Sequence, residues 1–213
     1  MIKKIILLLL SFCIICLASC GADENVSEDV SDKSEVSKSN VSEDAFGYES
    51  GYLSVDLFQF SIQIDEDVFM LPALQNAFTS KGWSVSGNEN QTLKAGYIEN
   101  AVLSKGETSF DIQVINPSKK ELSFSECPIG RISYDFSGTV QIYLADNLLL
   151  NTATKTAIIE KYGEPEKAET HSDFSEITYG SRKTTGNYAK YLFRFDKSGK
   201  IIYFSIVNHY MPQ

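Results

Sequence analysis

The sequence predicts an α+β fold of antiparallel sheets, each packed by a short helix, arranged as two tandem helix-plus-meander modules. Three patterns support this fold class. Runs of alternating apolar and polar residues are typical of half-buried strands. Two short amphipathic segments each end at a glycine, as helices commonly do. Short glycine-containing links join neighbouring strand patterns. We assign residues 48–138 to an N-terminal strand-rich module and residues 139–213 to a C-terminal module.

Strand patterns dominate the first module, which holds one short helix. Pro72 suits the first turn of this helix, which continues to Lys81 and stops at Gly82. The stretch 84–96 is rich in Ser, Gly and Asn and is predicted to be a loop. We predict strands at residues 53–64, 97–104, 108–116, 121–126 and 129–136.

The second module repeats the plan of a helix followed by a meander. After a strand at 139–144, Asn151 and Thr152 are candidate N-caps for a helix that ends at Tyr162, before Gly163. Three strands follow, at residues 174–180, 188–195 and 200–208. The module is therefore expected to be one helix on a three-stranded antiparallel sheet.

The N-terminus carries the parts of an export signal. Lys3 and Lys4 precede an apolar run of about 13 residues, and small residues stand directly before Cys20. This arrangement resembles the lipobox of bacterial lipoproteins. The resemblance implies that residues 1–19 are removed, that Cys20 receives lipid, and that the protein is lipid-anchored on the extracytoplasmic face of the cell membrane. The alternatives are an uncleaved anchor, for which the apolar run is short, and a simple secretory peptide.

Residues 20–47 are predicted to be a lipidated cysteine followed by a disordered acidic tether. Residues 21–47 hold eight acids and two lysines, a net charge of −6, with few apolar side chains. Such a composition does not bury enough surface to offset chain entropy. The remaining residues, 48–213, carry 20 acids and 15 bases, a net charge of −5. An acidic domain without a basic stripe argues against a nucleic-acid partner.

In the second half, the predicted helix is followed by Tyr-Gly-Glu-Pro at 162–165, and an aromatic hairpin contains Phe-Arg-Phe-Asp at 193–196 and Gly-Lys-Ile at 199–201. With these motifs, the second half resembles small bacterial lipoprotein domains of the BamE and β-lactamase-inhibitor-like kind. The whole chain is similar to uncharacterised lipoproteins of Firmicutes. These resemblances imply a small α+β domain that acts by binding other proteins.

Residues that would carry catalysis or hold a metal are sparse. The two histidines, His171 and His209, stand in no zinc-binding spacing, and no nucleophile-elbow or phosphate-binding motif is present. Cys127 is the one cysteine beyond residue 20 and is predicted to be a buried, inert thiol. We therefore predict no catalytic residue, no metal ligand and no cofactor.

Aromatic residues are the best candidates for a binding surface. Tyrosine favours interfaces because one end is apolar and the other donates hydrogen bonds. The candidate binding residues are Trp83, Tyr179, Arg182, Tyr188 and Tyr191. Two interpretations stay open: a surface-tethered module that binds a protein or peptide, and an accessory that binds wall glycan or assists envelope processing. Ordinary sheet packing would also explain the tyrosines.

Overall fold

The computed structural model describes residues 52–87, 90–180 and 188–209, and these are mostly β-sheet. Two short α-helices are present in these ranges, α1 (Gln75–Thr79) and α2 (Lys155–Tyr162). The strands are β1 (Ser61–Ile64), β2 (Asp67–Met70), β3 (Ser84–Ser86), β4 (Thr92–Leu93), β5 (Ile98–Lys105), β6 (Thr108–Ile115), β7 (Leu122–Ser123), β8 (Ile129–Asp135), β9 (Ile142–Leu144), β10 (Leu148–Leu149), β11 (Lys167–Thr170), β12 (Ser175–Gly180), β13 (Tyr188–Phe195) and β14 (Ile201–His209).

The strands form one large sheet and two small ones, and all of the pairings are antiparallel. The large sheet has eight strands in the order β11-β12-β13-β14-β8-β6-β5-β3. A four-stranded sheet has the order β10-β9-β1-β2, and β4 pairs with β7. An antiparallel architecture with short helices agrees with the predicted fold class at this coarse level.

The strand pairing does not follow the predicted division into two modules at residues 138 and 139. Strand β8, from the first predicted module, pairs with β14 from the second, and β1 pairs with β9. Both helices contribute to the same hydrophobic cluster, through Phe78 and Ile158. Strands from both predicted modules therefore share the large sheet and one core, because the C-terminal strand β14 pairs with β8 as well as with β13.

The eight-stranded sheet has two different faces. Its inner face packs against the four-stranded sheet and the helices in a cluster with no exposed member. The inward residues of the large sheet include Leu103, Phe110, Ile112, Ile132, Ile177, Tyr191, Phe193, Phe204 and Ile206. The alternate residues of β6, β8, β13 and β14 point to the outer face, where most are polar.

The predicted strand at 53–64 is wrong in its first half. Residues Leu57–Gln59 form a 3₁₀ turn, and the Asp56 carboxylate accepts a hydrogen bond from the Phe58 amide at 2.9 Å. Phe60 has a left-handed backbone with φ of 52°. This turn buries both Leu57 and Phe60 without strand alternation, and only residues 61–64 form a strand.

Two short polar strands were missed, and one strand was predicted too long. The predicted loop at 84–96 contains β3, which pairs with β5, and β4, which pairs with β7. These strands escape prediction because most of their residues are exposed and show no apolar alternation. The predicted strand at 121–126 ends after Ser123, whose amide donates to the Glu126 carboxylate at 2.9 Å and begins a 3₁₀ turn. Strands β2, β10 and β11 were also not predicted.

Both helices exist, with starts later than predicted. Helix α1 begins at Gln75, so Pro72 lies before it. Helix α2 begins after Thr154, whose hydroxyl accepts from the Ala157 amide at 3.2 Å. The predicted cap Asn151 is engaged elsewhere: its amide group donates to the Val140 carbonyl at 2.6 Å and accepts from the Ile142 amide at 3.0 Å.

Several predicted elements are confirmed. Strands β5 and β6 form the expected hairpin, and β12, β13 and β14 form the expected meander. Gly82 and Gly163, with φ of 82° each, follow the two helices in the backbone region that favours glycine. The signal peptide, Cys20 and the tether over 20–47 lie outside the described residues.

Candidate functional site

The structure places two of the predicted binding tyrosines in the core. Tyr179 and Tyr191 are Cα partners on β12 and β13, and both rings face inward with 4% and 0% exposure. The Tyr179 hydroxyl donates to the Gly163 carbonyl at 2.8 Å, and the Tyr191 hydroxyl donates to the Leu57 carbonyl at 2.7 Å. Burial raises the pKa of Tyr179 to about 12, with a smaller contribution from Glu164. These two tyrosines are structural.

Trp83 is also buried, with 3% exposure. Its indole N–H donates to an Asp67 carboxylate oxygen at 3.2 Å, and the Lys105 ammonium lies 5.5 Å from the ring centroid. Its ring packs edge-on against Phe110. Trp83 therefore fills the core beside α1 and does not present a binding surface. Arg182, the fourth candidate, lies outside the described residues.

Tyr188, the remaining candidate, lies on the outer face at the start of β13 and is 45% exposed. The Lys190 ammonium lies 5.5 Å from the centroid of its ring. His209 is its Cα partner on β14, and the two ring centroids are 6.1 Å apart. Of the described candidate residues, Tyr188 is thus the one available to a ligand.

Tyr188 borders an open groove on the outer face, with a volume of about 310 Å³. We call this feature the cationic groove. It crosses four neighbouring strands, β6, β8, β14 and β13. Its lining residues are Gln113, Arg131, Tyr188, Lys190, Leu192, Arg194, Tyr203, Ser205 and Val207.

Arg131 is held at the centre of the groove by three neutral hydroxyl groups. Its Nε donates to Ser133 Oγ at 2.7 Å and to Ser205 Oγ at 3.2 Å. Its Nη2 donates to the Tyr203 hydroxyl at 2.9 Å. The two serines are 1% and 4% exposed and bond each other at 2.9 Å. The guanidinium therefore lies in a fixed position over a buried polar network.

Arg194, at the other end of the groove, has a different environment. Its Nε donates to a Glu176 carboxylate oxygen at 2.9 Å, so its charge is paired. Its guanidinium also stacks on two rings, with the Cζ atom 4.9 Å from the Tyr203 centroid and 5.3 Å from the Phe174 centroid. These contacts fix Arg194 and cover the Tyr203 ring.

A second, acidic pocket of about 500 Å³ adjoins the groove on the same face. Its lining includes three carboxylates, those of Glu107, Asp111 and Asp135, together with Ser133, which bonds Arg131. The outer face is thus polarised, with cations over β8 and β13 and carboxylates near the start of β6 and the end of β8.

The side chains that could carry chemistry are buried or hydrogen-bonded within the fold. Cys127 is fully buried, as predicted, and burial followed by the charge of Glu126 raises the pKa of its thiol to about 11. Asp65 lies in the turn between β1 and β2, and its carboxylate accepts a hydrogen bond from the backbone amide of Gln141 at 2.9 Å. Across residues 52–87, 90–180 and 188–209, no group of three His, Cys, Asp or Glu is placed to hold a metal ion.

Sequence reasoning missed the groove because its residues come from strands that are distant in the chain. Within β13, the alternation of apolar and basic residues places Lys190 and Arg194 on the side away from the core. The same alternation in β8 and β14 places Arg131 and Tyr203 outward, and could have identified them. No sequence signal indicates that β14 lies between β8 and β13, which is what assembles the groove.

No protein-family model matches this chain, and the chain has no significant match among curated proteins or solved structures. In the described part of the chain, neither helix has the length and apolar character needed to span a bilayer. The candidate site therefore rests on its own geometry.

Proposed function

We propose that this protein is a lipid-anchored, extracytoplasmic binding module without catalytic activity, and that the cationic groove is its contact surface for a protein or peptide. The observation that carries the proposal is the contrast between the two faces of one sheet. The inner face buries its aromatic residues, whereas the outer face keeps Tyr188 exposed beside a groove with three cationic side chains. Exposed aromatic and arginine residues are enriched at interfaces.

The anchoring part of the proposal rests on the residues before Cys20. Acyl chains on this cysteine would hold the domain at the membrane, and the tether would give it a reach of roughly 30 Å. Changing Cys20 to Ser is expected to block lipid attachment and signal removal, leaving an unprocessed precursor. Mass spectrometry checks this, and a Cys20→Ser protein that is still lipid-labelled and cleaved would contradict it.

Glycan binding or an accessory role in envelope processing is the second candidate. Glycan sites commonly combine exposed rings with hydrogen-bonding side chains, and the groove offers Tyr188, Gln113 and Ser205. The rings of Tyr203 and Phe174 are partly buried and already stack on Arg194. A single well-exposed ring in an open groove favours the protein or peptide ligand.

The experiment is site-specific photo-crosslinking in intact cells. A photoreactive phenylalanine at Leu192, inside the groove, is compared with one at Glu160, an exposed position on α2. We expect a discrete protein adduct from position 192 that is absent from position 160. Equal capture at both positions would exclude the groove as the contact surface. An adduct that contains glycan and no protein would favour the second candidate.

A further inference from the structure

We propose that Arg131 and Lys190 are binding positions for carboxylates, and that the ligand of the groove is an acidic segment of a peptide or protein. This inference rests on the proposed function, since it names the chemistry recognised by the same groove. It follows from the hydrogen bonds, ion pairs and strand register of the outer face.

Arg131 has donors to spare. A guanidinium carries five N–H groups, and the described contacts use the Nε hydrogen and one at Nη2. All three acceptors are neutral hydroxyls, and no carboxylate in the described part of the chain lies within ion-pair distance. The fixed planar fork of an arginine matches a carboxylate in a bidentate contact. Because the side chain is already ordered, binding would cost little conformational entropy.

Lys190 is the second uncompensated cation. Its ammonium lies near the Tyr188 ring, and among the described residues it has no ion pair within 4 Å. Arg194 differs, because Glu176 already neutralises it. Arg131 and Lys190 are both Cα partners of Val207, so their backbones lie two strand spacings apart, about 10 Å. The Arg131 guanidinium leans toward Tyr203, whereas the Lys190 ammonium leans toward Tyr188. The two cations therefore stand apart along the groove, and each can meet a different carboxylate of one extended segment.

The two unpaired cations stand on a domain that is acidic overall, so they favour an acidic ligand over a basic one. Residues 48–213 carry a net charge of −5, so two unpaired cations on one face are opposite in sign to the domain as a whole. His209, packed near Arg131, is 7% exposed and its Nε2 has no hydrogen-bond partner among the described residues. Burial, with a smaller effect of Arg131, lowers its pKa to about 4, so this imidazole is neutral at pH 7 and adds no charge beside the arginine.

The neighbouring acidic pocket indicates that a peptide fits this face better than a polyanion does. A polymer with a charge on every unit, laid across the sheet, would run from Arg131 onto Glu107, Asp111 and Asp135. A peptide can place one or two carboxylates over the cations and a neutral or basic residue over the acids. Leu192, between Lys190 and Arg194 on the outward side of β13, adds an apolar contact. The polarised face therefore fits an acidic peptide segment better than a phosphate polymer.

The test is selection from a display library of random heptapeptides on the purified protein. We expect Asp or Glu to be enriched in the selected peptides. Replacing the selected acid by its amide in a synthetic peptide should weaken binding about tenfold, as expected for one charge-assisted contact. The double variant Arg131→Gln with Lys190→Gln should lose this preference. The matched control Arg194→Gln, which removes a cation that is already paired, should retain it.

Circular dichroism verifies that each variant is folded. If Arg131→Gln unfolds the domain, the single variant Lys190→Gln with the acid and amide peptides gives the same test. Persistent acidic enrichment in the double variant, enrichment of neutral or basic peptides, or no enriched peptide would each overturn the proposal. Binding of inorganic phosphate that requires both residues, without any enriched peptide, would assign the cations to a phosphate ligand and also overturn it.

The two proposals can fail separately. If crosslinking from Leu192 captures a protein while the library shows no acidic preference, the groove is the contact surface and the carboxylate site is wrong. If crosslinking shows no preference for the groove, the binding function assigned to this face is wrong.

Discussion

The two faces of strand β13 carry similar side chains in different environments. Tyr191 faces inward, is fully buried and donates its hydroxyl to the Leu57 carbonyl. Tyr188, three residues earlier, faces outward, is 45% exposed and lies near the Lys190 ammonium. Residue type alone therefore does not identify a binding surface in this sheet. The side of the strand decides whether a tyrosine holds the fold or remains available to a ligand.

The polar groups on the two faces also find different partners. Inward hydroxyls bond backbone carbonyls of segments that cover the sheet, such as those of Leu57 and Gly163. The central outward groups bond one another, as Arg131 does with Ser133 and Ser205. Loss of an inward hydroxyl removes a buried hydrogen bond that joins the sheet to a covering segment, which is costly. We therefore expect substitutions on the inner face to affect stability and those on the outer face to affect binding.

The largest contrast is expected between adjacent residues of β13. Phe193→Ala truncates a fully buried ring and should lower the free energy of unfolding by about 3–5 kcal/mol. Leu192→Ala, on the half-buried outer face, should cost less than about 1 kcal/mol. Urea denaturation of both variants measures the difference. Equal costs would show that the outer face is packed as tightly as the core.

The next largest effect on stability is expected from removing the inward hydroxyl of Tyr191. Tyr191→Phe keeps the ring and removes the bond to the Leu57 carbonyl, so we expect a loss of about 1–3 kcal/mol in the free energy of unfolding. The matched control is Tyr203→Phe, which removes a hydroxyl that accepts from Arg131 on the open face. The control should cost less, because water can reach the freed guanidinium group. A larger loss from the control would reverse the assignment of the two faces.

The same contrast explains which features of the structure could be predicted from the sequence. Alternation within β13 predicted which residues face the core, because side-chain direction is a local property of a strand. The neighbours of a strand are not local: β14 pairs with β8 across about seventy residues of chain. The network around Arg131 was therefore not foreseen. Tyr179 and Tyr191 were candidates because tyrosine favours interfaces, and the structure places both in the core.

The stability of the fold should depend on pH through His209, which is buried although it lies opposite the outward Tyr188. Burial and the nearby Arg131 lower its pKa from 6.5 to about 4. Below pH 6.5 the unfolded chain takes up a proton that the folded imidazole does not, so stability falls between pH 6.5 and about pH 4. We expect a loss on the order of 1–2 kcal/mol, since one pKa unit corresponds to about 1.4 kcal/mol and solvent screens part of the shift.

Thermal or urea unfolding over that pH range, compared with His209→Gln, measures this contribution. The variant should show a shallower loss of stability between pH 6.5 and 4 than the natural chain, and the two curves should run parallel above pH 6.5. Tyr188 and Arg131 are the ionisable groups that face this imidazole. Identical slopes would mean that His209 takes up its proton in the folded state as readily as in the unfolded one.

The smallest stability effect is expected in the groove itself. Lys190 has no ion pair among the described residues, so Lys190→Gln should change the free energy of unfolding by less than about 0.5 kcal/mol. The Arg194–Glu176 pair is partly exposed, and a double-mutant cycle should give it no more than about 1 kcal/mol. Denaturation of the folded variants checks both values. A loss of several kcal/mol at Lys190 would show that its charge supports the fold, and a lysine used in that way would not be free to receive a ligand.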